Sequence, residues 1–295
     1  MIRYHECPGC GSEAIRPSIT ARDHTVSQKI FEIWACDSCT LRFTQDAPEM
    51  DMISSYYQAD DYISHTDTGK GWVNRLYHLV RKKTLSDKSR LLSAYTGQKN
   101  GKLLDLGAGT GAFAGYMQSK GWQVTGLEPD EGARRRAKIA HSVDLLAADH
   151  LYGIDNYSCD AVTLWHVLEH VHALHNDVGH LKRIIRPSGK IFIAVPNYTS
   201  HDAFFYKGDW AAYDVPRHLY HFSPLSMKVL LKKHQLHLIA IRRMWYDSIY
   251  ISLLSERYKR GRPNMIGGLY TGLVSNLVAS FKKERCSSLI YIIGK

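Results

Sequence analysis

The chain has 295 residues, a 44% apolar share and a formal charge of +10, which suits one large globular domain or two smaller ones. No uncharged apolar run reaches the roughly 20 residues of a membrane span, so no transmembrane segment is expected. The polar start MIRYHECPGC does not read as a secretory leader, and the expected location is the cytoplasm.

Residues 1–48 carry two cysteine pairs, Cys7/Cys10 and Cys36/Cys39, spaced C-x2-C-x25-C-x2-C among short strand-like runs such as KIFEIWAC and LRFT. Four thiolates on two knuckles suit tetrahedral zinc, and glycines in and after CPGC fit a knuckle turn. Such a site is saturated, so the expected zinc is structural in a zinc-ribbon-like module. Residues 49–100 are polar and aromatic, then helical, with Trp72, Leu76, Leu79 and Val80 at helical spacing.

From 102 the pattern alternates. KLLDL predicts a buried strand ended by GAGTG, and AFAGYMQSKG a helix closed by Gly121. Strands follow at WQVTGLEP, VDLLAAD, CDAVTLWHV and KIFIAVP, and helices at DEGARRRAKIAH and ALHNDVGHLKRII. This order predicts a parallel sheet with helices on both faces, over residues 101–295. Beyond the proline-bounded stretch AAYDVPRHLYHFSP (211–224), the sequence predicts a helix, a strand, two more helices within a basic insertion at about 247–284, and a last strand, SSLIYIIGK. That last strand could run antiparallel at the sheet edge.

Glycines 107, 109 and 111, between a strand and a helix, let the backbone approach a ligand at the strand's carboxyl end. Glu128 ends the next strand, where a carboxylate can take both hydroxyls of a ribose. Gly107, Gly109 and Ala112 also satisfy the dinucleotide fingerprint, but the Asp105 carboxylate just before them would repel a pyrophosphate and favour a cationic ligand. HVLEH (166–170) matches an inverted zinc-protease motif, which belongs in mid-helix with a further ligand downstream; here it directly follows a strand, so His166 reads as an active-site residue and His170 as a helix-start residue.

LDLGAGTG (104–111), GLEPD (126–130), LLAAD (145–149) and VTLWHVLEHV (162–171) together resemble the class I S-adenosylmethionine-dependent methyltransferases. The resemblance implies a Rossmann-like seven-stranded sheet with an antiparallel last strand. It also implies cofactor-binding roles: Asp105, Gly107, Ala108, Gly109 and Gly111 for the methionine part, Glu128 and Pro129 for the ribose, Ala148 and Asp149 for the adenine. Trp165, His166 and Val167 would line the sulfonium and the acceptor mouth. SYYQADDYISHTDTG (55–69) resembles the lid segment of a bacterial zinc-headed subgroup, which makes Tyr57, Tyr62 and His65 candidate cofactor contacts in a lid segment over 49–100.

RHLYHFS resembles HEHLSYFS of the subgroup's sugar C-methyltransferases, with Arg217 where that pattern has Glu and Pro216 in place of its first histidine. His218 is the candidate base, with His221, Tyr220 and Asp214 behind it, because an acceptor oxygen or acidic carbon must lose a proton and histidine suits that near neutral pH. The expected activity is methyl transfer to a small-molecule or sugar acceptor, free or linked to a nucleotide or lipid. The alternatives are an RNA methyltransferase and a non-enzymatic cofactor-binding protein with a zinc interaction module.

The charge leaves a partner open. Residues 224–295 hold 13 Lys/Arg against 3 Asp/Glu, whereas residues 1–223 hold 25 of each. That predicts a solvated basic face or an anionic partner: a phosphorylated or lipid-linked substrate, a membrane surface or RNA. MIGGLYTGLVSNLVASF (265–281) places an apolar stripe opposite Gly, Thr, Ser and Asn between basic flanks. It reads as a helix packed on its own enzyme, or as one lying peripherally in a membrane interface.

Overall fold

The structure, a computed structural model, describes residues 1–57 and 72–295, with side chains in the first long helix from residue 82 on. Two sheets organise it. The smaller is antiparallel, in the order β1 (Ile15–Arg22), β2 (Ile30–Cys36), β3 (Arg42–Thr44), β9 (Tyr220–His221). Phe31 and Ile33 alternate inward along β2, as a half-buried strand requires. β9 is two residues long and comes from far along the chain, pairing His221 with Arg42 and Tyr220 with Phe43.

The larger sheet has seven strands in the order β10 (His237–Arg243), β11 (Ser288–Gly294), β8 (Ile185–Pro196), β7 (Cys159–Trp165), β4 (Lys102–Leu106), β5 (Gln123–Leu127), β6 (Leu145–Leu146). It is mixed, with antiparallel last strands. The edge belongs to β10, and β11 lies between β10 and β8, where its unbroken apolar run is buried at every residue. VDLLAAD yields only two residues of strand, since Ala148–Gly153 turn into a 3-10 helix.

β5 lies on one side of β4 and β7 on the other, both parallel to it. The connection leaving β4 runs to β5 and the one leaving β7 runs the other way, to β8, which opens a crevice at the carboxyl ends of these two strands.

The helices are α1 (Trp72–Thr96), α2 (Ala112–Ser119), α3 (Glu131–His141), α4 (Leu174–Ile184), α5 (His201–Tyr206), α6 (Pro224–Lys233), α7 (Asp247–Arg260) and α8 (Met265–Phe281). Their starts follow the sequence: Asp130, Ser200, Ser223 and Asn264 each cap an amide of the first turn, and Pro224 opens α6 without losing a hydrogen bond. Among the described residues no helix is long and apolar enough to cross a membrane.

The described residues form two compact units. The first holds residues 1–57, Leu168–His175 and Ala194–Tyr291; the second holds 72–167, Asn176–Ile193 and Ile292–Lys295.

Candidate active site

In the second unit, a crevice of about 380 Å³ opens beyond β4, in the range of small-molecule sites. Asp105, Gly107, Ala108, Phe113, Trp165 and Lys88 are among its walls. Asp105 is buried, and its Oδ1 accepts a hydrogen bond from Thr163 Oγ1 at 2.6 Å. Burial pushes its carboxyl up to about 6, against the pull of the Thr163 hydroxyl and the Lys88 charge. The Lys88 ammonium stands 4.2 Å from the Trp165 ring centre, and Phe113 meets that ring edge-on. Trp165 keeps a buried indole N–H that finds no acceptor among the described residues.

The glycines earn their places differently. Gly107 has φ 68°, and a Cβ there would sit 2.4 Å from Val167 Cγ2. Gly111 has φ 74°, and a Cβ there would meet the Ala137 methyl at 2.7 Å. Glu128 is buried at the end of β5, where Oε2 accepts from the Gly109 amide at 2.8 Å and Oε1 from the Asp130 amide at 3.0 Å. Its carboxyl is raised by burial, the two amides pulling the other way. Pro129 follows, its carbonyl accepting from Arg134. Ala148 and Asp149 open the 3-10 turn after β6, and the Asp149 side chain is exposed beside His150. His166 adopts φ 58° and 168–170 form a turn, with α4 beginning only at Leu174, so the two histidines of HVLEH share no helix face and His170, against expectation, starts no helix.

In the first unit, the four cysteine sulfurs converge. Cys7 and Cys39 Sγ lie 3.5 Å apart, Cys10 and Cys36 3.6 Å, and all four fall within 4.8 Å of one another as free thiols. A tetrahedral zinc with bonds of about 2.3 Å places its sulfurs roughly 3.8 Å apart, so the set fits that ion. Both knuckles close alike: the Gly11 amide reaches Cys7 O and the Thr40 amide reaches Cys36 O, each residue at positive φ. The close contact with Cys39 draws the Cys7 sulfur below the ordinary thiol range and raises Cys39 in turn, as two sulfurs sharing one proton must.

The same unit holds a buried cluster around His218. Its Nδ1 lies 2.9 Å from the Ala212 carbonyl and its Nε2 3.8 Å from Asp214 Oδ2. Arg217 is 1% exposed. It grips Asp214 through Nε and Nη2, approaches Asp23 at 3.6 Å and donates to the Tyr56 carbonyl. Burial would raise Asp214, but the Arg217 hydrogen bond and charge outweigh it and hold the carboxylate below its usual range. His170 meets His218 edge-on at 4.5 Å, and its Nδ1 lies 3.0 Å from Tyr57 Oη and 3.1 Å from the Arg217 carbonyl. Burial, then the His218 charge, lowers its ring to about 4, so it stays neutral. Donor atoms of Glu169, His170 and His218 also lie within 4.8 Å of one another, close enough to share a cation.

His218 and Asp214 are thus brought together, with Tyr57 behind them. His221 and Tyr220 are consecutive in β9 and face opposite ways. His221 meets Thr44 Oγ1 at 3.1 Å and is held well below the usual histidine range by burial first, then by the His218 and Arg42 charges. The Tyr220 hydroxyl lies 3.4 Å from that of Tyr4. Tyr62 and His65 lie outside the described residues. Sequence reasoning missed Lys88, Thr163 and Asp23, and read His170 as a helix-start residue. Thr163 alone left a signal, as a polar residue inside the apolar run AVTLW.

A family model described as a methyltransferase domain matches residues 77–241. The chain belongs to that family. It carries a class I S-adenosylmethionine-dependent methyltransferase domain. Among curated proteins, the methyltransferase is 28% identical over 109 residues to the ubiquinone biosynthesis O-methyltransferase of Alkalilimnicola ehrlichii, covering 34% of this chain and 44% of that one. To the protein of the same name from Thiobacillus denitrificans it is 31% identical over 103 residues, covering 32% and 44%. The matches span about half the length of such relatives or less.

Among solved structures, it resembles the 1,6-didemethyltoxoflavin-N1-methyltransferase of Burkholderia thailandensis with TM-score 0.50 and 16% identity, over 93% of this chain and 99% of that one. Phosphoethanolamine N-methyltransferase 2 of Haemonchus contortus gives TM-score 0.53 and 18% identity, over 86% and 61%. At these identities the likeness is one of fold.

Proposed function

We propose that this methyltransferase binds S-adenosylmethionine in the β4 crevice and methylates a small-molecule or sugar acceptor, with His218 as general base and a structural zinc on Cys7, Cys10, Cys36 and Cys39. The observation that carries the reading is the pairing of a buried carboxylate, Asp105, with a lysine, Lys88, in one aromatic-walled crevice. An amino-acid end with ammonium and carboxylate needs both signs of charge. Asp105 would take the ammonium, Lys88 the carboxylate, and Trp165 and Phe113 the sulfonium by cation–π attraction. Glu128 retains lone pairs for ribose hydroxyls beyond the two amides it accepts. Tyr57, Tyr62 and His65 remain proposed lid contacts, and 1–48 a proposed zinc-headed module.

S-adenosylmethionine supplies an electrophilic methyl group on a sulfonium. The chain's own task is alignment and proton removal. With Nδ1–H donating to the Ala212 carbonyl, His218 carries its lone pair on Nε2, on the side of the ionised Asp214. That nitrogen would take the acceptor's proton, with the Asp214 carboxylate 3.8 Å away. A small acceptor is supported by relatives whose names describe small-molecule methylation.

Two measurements bear on this reading. Methyl-labelled S-adenosylmethionine, incubated with the enzyme and an extract of cells lacking it, should put label into small-molecule, sugar or lipid fractions. Label sensitive to ribonuclease would defeat the small-acceptor reading.

The second concerns Asp105. Its folded pKa of about 6 lies above the unfolded 3.8, so its protonated form is favoured by folding. That stability is full below 3.8 and lost as pH rises through 6, a cost on the order of 3 kcal/mol at neutral pH. Asp105→Asn is therefore expected to raise the melting temperature of the ligand-free protein at pH 7 while weakening cofactor binding about 10–100-fold. In the wild type, affinity should rise with pH through about 6 as the carboxylate ionises. Calorimetric titrations at several pH values would show it, and a pH-independent affinity would sink the assignment.

A further inference from the structure

Helix α8 is inside out for a soluble protein. Its buried residues are small or polar: Gly268, Thr271, Gly272, Ser275 and Ala279. Gly268 and Gly272 let the α7 backbone approach closely, since a Cβ on either would sit within 3 Å of Leu253 or Ile249 Cα. Ser275 donates to the buried Asp202 at 2.7 Å. The large apolar residues Ile266, Leu269, Tyr270, Leu273, Leu277 and Phe281 are instead exposed, Ile266 and Phe281 to 84%. At about 100° per residue these six span roughly 120° of the helix, opposite the buried five. Water wets an apolar strip about 25 Å long.

Charge frames the strip. Residues 257–283 contain six Lys/Arg and no Asp/Glu, with Arg260, paired with Glu256 at 2.7 Å, and Arg262 before α8, and Lys282 and Lys283, followed by Glu284, after it. Trp245 and Tyr246, partly exposed, lie beside α8, where Asn276 Nδ2 donates to the Trp245 carbonyl. Aromatic side chains of this kind favour the headgroup level of a bilayer. A second copy seated on the strip would bring two such positive frames together, whereas an anionic surface complements them. The helix has 17 residues, too short and too interrupted to span.

We propose that the outer face of α8 docks this methyltransferase on an anionic lipid surface, lying in the interface with its apolar strip in the upper acyl region. The basic flanks meet the headgroups, and the small-residue face stays on α7. The surface is independent of the acceptor's identity, because none of these residues walls the cofactor crevice.

Vesicle flotation tests it. The protein should float with vesicles of two-to-one phosphatidylcholine and phosphatidylglycerol and bind far less to phosphatidylcholine alone. Ile266→Ser with Phe281→Ser, both at exposed positions, should melt as the wild type does and lose at least about tenfold in partitioning. Lys282→Glu with Lys283→Glu should lose roughly tenfold on the anionic vesicles only. Unchanged flotation of the serine variant overturns the proposal. So does absence of flotation, and so does a concentration-dependent dimer that the serine variant dissolves, which would make the strip an interface between copies.

Discussion

His218→Ala is expected to lower kcat by about 10²–10⁴-fold and to leave cofactor affinity unchanged, the range for loss of a positioned general base. The split follows from the structure's division of labour. Every described wall of the cofactor crevice lies in the second unit, and His218, Asp214, Arg217, His170 and Asp23 all lie in the first. Removing the imidazole strips out the Nε2 lone pair without touching Asp105 or Trp165.

A merely structural role for His218 would show otherwise. It would lower the melting temperature together with the rate, and the rate of the folded fraction would stay near wild type. Asp214→Asn should act in the same direction but less, since His218 keeps its carbonyl partner on Nδ1 and loses only the facing carboxylate. The carboxylate also neutralises Arg217, which is buried, so Asp214→Asn should destabilise the fold where His218→Ala need not.

Glycines before a helix and an acidic residue before them are local patterns that single out Asp105 and Gly107, whereas Ala108 and Trp165 came only from the family resemblance; all four line the crevice. Lys88 carries no such mark. It sits on a helix 17 residues upstream of Asp105, and nothing in the helical period marks it off from Lys82 or Lys83. The link between the cysteine module and the His218 loop was equally hidden. A two-residue strand leaves no periodic trace, so β9 is visible only through its pairing with Arg42 and Phe43. The sequence did show the stripe on 265–281, but not its direction. Hydrophobic period says which residues share a face, while the choice between facing inward and outward was made by Gly268 and Gly272, which seat the opposite face on α7. β11 was legible as a strand, yet its interior place depends on β10 taking the edge, a matter of topology that no local pattern encodes.

Removal of metal from the four-cysteine site should have the largest effect on stability and a secondary effect on turnover. Zinc on four thiolates contributes free energy of order 10 kcal/mol in small domains, and here the sulfurs gather at the one end of a short antiparallel sheet where β1 and β3 begin and β2 ends. The expected content is one zinc per chain, released in proportion to unfolding when the protein is denatured before a colorimetric chelator. Stripping it, or Cys36→Ser, should unfold β1 to β3 first.

The consequence reaches His218 through named bonds. Thr44 Oγ1 donates to the His218 carbonyl at 2.6 Å, the Thr44 amide to the Leu219 carbonyl at 2.9 Å, and Thr40 Oγ1 meets Ser223 Oγ at 2.6 Å. Once β3 is lost these bonds go with it, and the loop that carries the proposed base keeps the Leu219 and Tyr220 amides on the Glu169 carbonyl but no tie to the small sheet through Thr40 or Thr44. Metal-free protein should therefore lose turnover while still binding S-adenosylmethionine, because Asp105, Gly107 and Trp165 belong to the other unit. Retention of full turnover after verified metal loss would show that the sheet stands without zinc. Loss of cofactor affinity in step with turnover would show instead that the two units unfold together.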